Sequence, residues 1–239
     1  MTALAIDTTT DRLSVAARRD GRTAGRACEG ARRHAAELFP LIDAVFGELG
    51  CALPDVQILA LSNGPGSFTG LRVGAAAMKA LTRAQPTLSV WSASNLMVRA
   101  AGVAPHGGAR VLVVTSALRG EIYAACYRLD LPHLVETVKP PTLTVPEALY
   151  RETADLLVAD APDTVVDRLA DRLAIPLVRG TPGLPSASAL LDLLEVPGGA
   201  DRLGDVEGWE PVYGRMAEAQ VRWEAAHGRP LSNPSRDDR

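Results

Sequence analysis

Asp7 and the three threonines behind it, Thr8, Thr9 and Thr10, follow directly on the apolar run 3–6. A carboxylate and hydroxyls gathered at a strand end can hold a metal-bound phosphate, the carboxylate facing the cation and the hydroxyls facing phosphate oxygens. The same residue types close a hairpin turn by side-chain-to-backbone hydrogen bonds, with no ligand at all. A second group is Gly64-Pro65-Gly66-Ser67-Phe68-Thr69-Gly70, set between an apolar strand at 58–61 and a helix over about 69–83. Glycines let the chain approach a phosphate closely, and unpaired N–H groups at a helix start point toward it. They serve equally well in a tight turn with close helix packing. No Gly-Lys-Ser/Thr follows, so the loop is not a P-loop, and it lacks the Gly-x-Gly-x-x-Gly spacing of dinucleotide sites.

Other reactive side chains are sparse. His34 and Glu37 lie one helical turn apart and share a face, but two ligands are too few for a metal. His106, His133 and His227 stand apart beside Pro or Gly, and no metal site is expected. Ser67 lacks the Gly-x-Ser-x-Gly elbow of a serine nucleophile, and no histidine is marked as its base. Cys28, Cys51 and Cys126 are odd in number with no Cys-x-x-Cys, which predicts reduced, mostly buried thiols.

The elements that must position these residues follow from hydropathy periodicity. Runs at 3–6, 13–17 and 22–28 read as a three-stranded antiparallel meander. Leu38, Leu41, Ile42, Val45, Phe46 and Leu49 recur at helical spacing and predict an amphipathic helix over 34–49, stopped by Gly50. Strand 58–61, helix 69–83, strand 88–91 and helix 93–101 complete a βββαβαβα lobe, which breaks at Pro105-His106-Gly107-Gly108. A second, less regular series follows: strands 111–114 and 122–127, a helix at 145–152, a strand at 155–159, and helices at 165–173 and 186–194, the last capped by Ser186. The expected domains are therefore a first lobe at 1–105, a shorter second lobe at 106–227 whose last helix, near 216–226, returns to the first, and a disordered polar tail at 228–239.

Composition excludes several classes. With 239 residues, 47% hydrophobic and 22% charged, the chain has the apolar content of a folded globular protein. A net charge of −3 with scattered basic residues argues against a free-standing nucleic-acid surface, so an RNA partner would have to be held by another subunit. No window reaches the roughly 18 apolar residues of a membrane span and no basic leader precedes an apolar run, so a cytoplasmic protein is expected. The apolar residues of helix 34–49 cover more than a narrow stripe, and Val73, Ala75, Ala76, Ala77, Met78 and Ala80 make the next helix small-faced. Such a pair suits a partner, or simply the intrachain core.

Four segments together, Leu4-Ala5-Ile6-Asp7-Thr8-Thr9-Thr10, His34-Ala35-Ala36-Glu37-Leu38-Phe39-Pro40-Leu41-Ile42, Gly64 through Gly74, and Arg119-Gly120-Glu121-Ile122-Tyr123, resemble the TsaB (YeaZ) family. Glu210-Pro211-Val212-Tyr213 resembles that family's C-terminal Glu-Pro-x-Tyr. The resemblance implies an α/β, actin-like ATPase fold of two lobes with the second abbreviated. It further implies a non-catalytic subunit in the making of N6-threonylcarbamoyladenosine beside the tRNA anticodon. In that system the paralogue TsaD transfers the threonylcarbamoyl group, a TsaE-type ATPase binds the pair, and tRNA is reached only through the complex.

On the same resemblance the paired helices are the surface that meets TsaD, or a second copy when TsaD is missing, with Leu38, Phe39, Ile42, Val73, Ala76 and Ala77 as contacts. Asp7, Thr8, Gly64, Gly66, Ser67, Thr69, Gly70, Arg119, Gly120 and Glu121 then become vestiges of phosphate- or nucleotide-type loops. No cofactor of its own is expected, although ATP could sit at a boundary within the complex. The paralogue's His-x-x-x-His metal pair is replaced here by Asn95 and Arg99, and the family's Asp-Ala-Arg-x-Gly-Glu turn reads Ser116-Ala117-Leu118-Arg119-Gly120-Glu121. The competing expectation is a stand-alone ATP-binding kinase or ATPase of the same fold. A peptidase, suggested only by an older description of the paralogue's family, finds no nucleophile-base pair or zinc site here.

Overall fold

The computed structural model describes residues 1–30, 33–104, 108–117, 120–213 and 227. The first series runs β1 (Thr2–Asp7), β2 (Arg12–Arg19), β3 (Arg22–Glu29), α1 (His34–Leu49), β4 (Ile58–Ser62), α2 (Phe68–Ala84), β5 (Ser89–Ala93) and α3 (Asn95–Ala101). The second runs β6 (Ala109–Ser116), β7 (Ile122–Asp130), β8 (Leu134–Thr144), a 3₁₀ turn (Pro146–Leu149), β9 (Leu156–Asp160), α4 (Asp163–Leu173), β10 (Leu177–Val178), a 3₁₀ turn (Thr181–Gly183) and α5 (Ala187–Asp192), and ends at β11 (Asp201–Arg202). One sheet has the order β11-β5-β4-β1-β2-β3 and the other β10-β9-β6-β7-β8. Leaving β11 aside, the two orders are the same, with antiparallel meanders β1-β2-β3 and β6-β7-β8 joined to parallel strands β4-β5 and β9-β10. The expected doubled α/β plan is present, and its abbreviation is local: a single 3₁₀ turn at Pro146–Leu149 stands where α1 stands in the first lobe.

Strand alternation explains how the layers stack. In β1 the odd positions Ala3 and Ala5 face a core that also holds α3, α5 and Val111, Val113, Tyr123, Tyr127 and Val158 of the second sheet. The even positions Leu4 and Ile6 face α1 and α2. Successive strand side chains point to opposite faces, so a run without polar residues, as at 3–6 in β1, is buried on both. The alanines leave room for helices to lie close. The central core therefore spans both lobes, with α3 packed on β6 and β7 and α5 packed on β1 and β2. The outer face of the second sheet, with Leu112, Val114, Ile122 and Leu157, is covered by Val166 and Leu169 of α4 and Leu149 of the 3₁₀ turn.

Several expectations change. The helix read at 145–152 is only the short 3₁₀ turn, because Pro146 opens it and its apolar residues do not repeat through a full helix. β8, β10 and β11 were not anticipated. β8 carries Pro140 and Pro141 and mostly exposed residues, which suits an edge strand and hides the alternation. β10 stays in the second sheet, but the chain after the Thr181–Gly183 turn leaves it: α5 packs on the first sheet, and β11 joins the edge of that sheet by pairing with β5. The final helix near 216–226 and the tail at 228–239 lie outside the described residues.

The partner-contact residues divide. Leu38, Ile42 and Ala77 are 1%, 3% and 6% exposed and belong to the core beneath α1 and α2. They are withdrawn as contacts, because the apolar stripe of each helix is already covered by its own sheet. Phe39 is 47% exposed, Ala76 is exposed and Val73 is half-buried. Phe39 and Ala76 are the candidates that face outward, while Val73 also packs against the core.

Candidate functional site

A cleft of about 470 Å³ opens between the lobes at the ends of β1, β6 and β9, with Thr9, Gly66, Ser67, Asn95, Arg99 and Asp160 on its walls. Asp7, at the end of β1, is fully buried behind it. Its Oδ1 accepts hydrogen bonds from the Thr9 N–H at 3.0 Å and the Thr9 hydroxyl at 2.9 Å. This is the side-chain-to-backbone turn that Asp and Thr build on their own. Asp7 Oδ2 and the Ser62 hydroxyl make no hydrogen bond of ordinary geometry, although the hydroxyl lies near enough to favour the carboxylate. Burial raises the Asp7 pKa, opposed by Ser62, Thr9 and the charge of Arg99.

The raised pKa sets a pH dependence. In the unfolded chain Asp7 ionises near the ordinary carboxylate value, but in the fold it holds its proton to higher pH. Its contribution is fully present below the unfolded value and is lost as pH rises through the folded one. Asp7→Asn removes that loss while retaining an acceptor for Thr9. The melting temperature of the variant relative to the parent is expected to climb as pH rises from about 4 to 8. A thermal-melt series over that range checks it, and a difference that stays flat or falls contradicts it.

The glycine loop lies against the turn between β1 and β2. A Cβ on Gly70 would lie 1.9 Å from the Thr8 carbonyl oxygen, one on Gly66 2.3 Å from the Thr9 carbonyl oxygen, and one on Gly74 2.6 Å from Thr8 Oγ1. The Ser67 N–H donates to the Thr9 carbonyl at 2.8 Å, and Ser67 Oγ caps α2 by accepting from the Gly70 N–H at 3.2 Å. The glycines therefore admit the chain's own β1–β2 turn. The Glu210-Pro211-Val212-Tyr213 segment closes on the same loop. The Val212 N–H donates to the Asn63 carbonyl at 2.7 Å, and the Val212 carbonyl oxygen would lie 2.3 Å from a Cβ on Gly64. The Tyr213 ring sits 4.8 Å from that of Phe68, whose other neighbour is the Arg72 guanidinium at 4.9 Å.

Asn95 and Arg99, four residues apart on α3, face the cleft together. Asn95 Nδ2 donates to Thr9 Oγ1, and Arg99 Nε donates to Asn95 Oδ1 at 3.0 Å. The guanidinium, 2% exposed, continues into the second lobe, donating to the Gly183 carbonyl at 2.9 Å and to Asp160 Oδ2 at 2.7 Å. One polar chain thus runs Asp7, Thr9, Asn95, Arg99, Asp160, buried as far as Arg99 and half exposed at Asp160. Asp160 and Gly183 were not among the sequence-derived site residues. Asp160 ends β9 as Asp7 ends β1, and that repeated strand-end aspartate was the available signal.

The remaining predicted positions are dispersed. Thr8 is buried behind α2 and Thr69 is exposed on its first turn. Gly120 has φ +83° and Glu121 lies in the β6–β7 turn, where its carbonyl accepts from the Ala117 N–H at 2.9 Å. Arg119 and His106 lie outside the described residues. Glu37 pairs with Arg33 at 2.6 Å, and His34 is buried. Of the cysteines only Cys126 is fully buried; Cys28 and Cys51 are half-buried, and burial raises the pKa of all three thiols.

Comparison with known proteins adds the following. A family described as TsaD: tRNA N6-adenosine threonylcarbamoyltransferase matches residues 28–177. A tRNA threonylcarbamoyladenosine biosynthesis protein TsaB from Escherichia coli is 29% identical over 96% of this chain and all of its own length. Its Bacillus subtilis namesake is 26% identical over 93% of this chain and 98% of its own. Among solved structures, a Pseudomonas aeruginosa protein described as similar to peptidase YEAZ superposes with a TM-score of 0.73 at 27% identity, covering 90% of this chain and 99% of that one.

Proposed function

This chain belongs to the TsaB (YeaZ) family, within the wider family that carries the TsaD description, and from that premise we propose that it is a non-catalytic partner subunit. Its role lies in tRNA threonylcarbamoyladenosine biosynthesis. It pairs with a TsaD-type transferase through the outer faces of α1 and α2, a TsaE-type ATPase joins the pair, and tRNA is bound by the assembly. Alone, the same faces pair two copies of the chain, in the cytoplasm.

The observation that carries this reading is where the chemistry-capable residues are spent. The glycines of the signature loop close on Thr8 and Thr9, and Asn95 and Arg99 bond within the chain. Groups that would cradle a phosphate serve architecture instead. The helix faces support the pairing: Ala35, Ala36, Ala44, Ala76 and Ala80 are exposed together with Phe39. Small side chains let another helix approach closely, and a projecting aromatic supplies an anchor.

Light scattering after size exclusion tests it, on the chain alone and mixed with the TsaD-type paralogue of the same organism. Conversion of a homodimer to a one-to-one heterodimer is expected, followed by stimulated threonylcarbamoyl transfer once the TsaE-type ATPase is added. Two folded proteins that do not associate would overturn it. The inter-lobe cleft keeps the ATP-binding reading in play, and sub-millimolar ATP binding with turnover by the lone chain, measured by calorimetry, would favour that reading instead.

A further inference from the structure

We propose that Arg99 is an internal latch that holds the two lobes, and so the walls of the cleft, at one fixed separation. Arg99 belongs to α3 of the first lobe, yet two of its nitrogens bond into the second, to the Gly183 carbonyl and to Asp160 Oδ2. Its third bond, to Asn95 Oδ1, ties it back through Thr9 to Asp7. Guanidinium stays charged at any physiological pH, and this one is 2% exposed. Separating the lobes would strand it without Asp160, and a buried charge that loses its partner is strongly disfavoured.

The segment it grips is held at both ends. Gly183 is taken by Arg99, and four residues on, the Ala187 N–H that opens α5 donates at 3.0 Å to the Ser14 hydroxyl of β2. The connection from the second sheet into α5 is therefore pinned to the first lobe by two buried side-chain bonds. Around it α3 and α5 are interleaved between the sheets in one common core. A hinge needs an element that can swing with little loss of contact, and here the crossing segment is fastened to the first lobe at both Gly183 and Ala187. The consequence is that α1 and α2 are carried on a rigid body.

Hydrogen exchange read by mass spectrometry on the full chain tests the latch, comparing the parent with Arg99→Met, Arg99→Lys and Asp160→Asn. Arg99→Met is expected to speed exchange at least tenfold in segments 156–160 and 181–190, with α1 and α2 unchanged. Arg99→Lys restores part of the protection, since an ammonium can meet Asp160 but not Asn95 and Gly183 together. Unchanged exchange in both segments overturns the proposal, as does a uniform rise over both lobes, which would mean general destabilisation. If Arg99→Met fails to fold, Asp160→Asn decides by the same criterion. The Asp160 side chain is half exposed and its replacement leaves the core intact.

Discussion

Gly70→Ala is expected to remove a large part of the chain's folding stability. The added methyl would lie 1.9 Å from the Thr8 carbonyl oxygen and 3.1 Å from its carbon. Those are backbone atoms of the β1–β2 turn, held by Asp7 and by the Ser67 N–H on Thr9, and cannot turn aside as a side-chain tip would. Relief requires α2 to back away from the sheet, which opens the core around Met78 and Leu81. Overpacking of this kind costs about 3 kcal/mol or more, a large part of the roughly 5–15 kcal/mol that holds a domain together. The control is Gly47→Ala on α1, where a Cβ meets nothing within 4 Å and a gain of about 0.5–1 kcal/mol follows from helix propensity. Urea denaturation of both variants reads the contrast. Parent-like stability of Gly70→Ala would mean that the glycines are not there to admit the turn.

Ala76→Asp is expected to abolish pairing and leave the monomer folded, whereas Ala77→Asp is expected to unfold it. The two alanines are adjacent on α2, about 100° apart around its axis, and fall on either side of the edge of its buried stripe. Ala76 is exposed, while Ala77 is 6% exposed in the core with Leu38 and Val45. A carboxylate at position 77 would enter an apolar core with no partner, at a cost of several kcal/mol. At position 76 it stays hydrated until a partner helix covers it, and then costs that interface about 2 kcal/mol or more, as loss of a central contact does. Circular dichroism with size exclusion separates the outcomes. A folded Ala76→Asp variant that still pairs at parent affinity would move the interface elsewhere.

The division between those two alanines also marks how far a linear pattern reaches. Helical spacing places Leu38, Phe39 and Ile42 near one another on α1, and both a partner surface and an intrachain core are compatible with that spacing. Only the sheet that α1 covers separates them: Leu38 and Ile42 fall inside the stripe that meets Leu4, Ile6 and Leu13, and Phe39 falls outside it. Similarly, Gly64, Gly66 and Gly70 announce a close approach without saying to what. The approached groups, the carbonyls of Thr8, Thr9 and Val212, lie up to 148 residues away along the chain.

The order of elements in the first lobe, the Gly50 stop of α1 and the serine caps of α2 and α5 were determined by local sequence, because they depend on periodicity and on side-chain bonds within a few residues. The doubling of the fold was implied by the family resemblance rather than by local pattern, since β8 with its two prolines and the two-residue β10 hide the second meander and the second βαβ unit. What the tertiary structure alone decided is what comes together across the lobes: the latch from Arg99 to Asp160, the return of α5 and β11 to the first sheet, and the seating of Val212 on Gly64. Two-residue strands such as β10 and β11 are too short to show alternation and exist because a neighbouring edge accepts them. A side chain's periodicity records which face it shares with its neighbours in sequence. Which surface that face will meet depends on segments far away in the chain, and packing settles it.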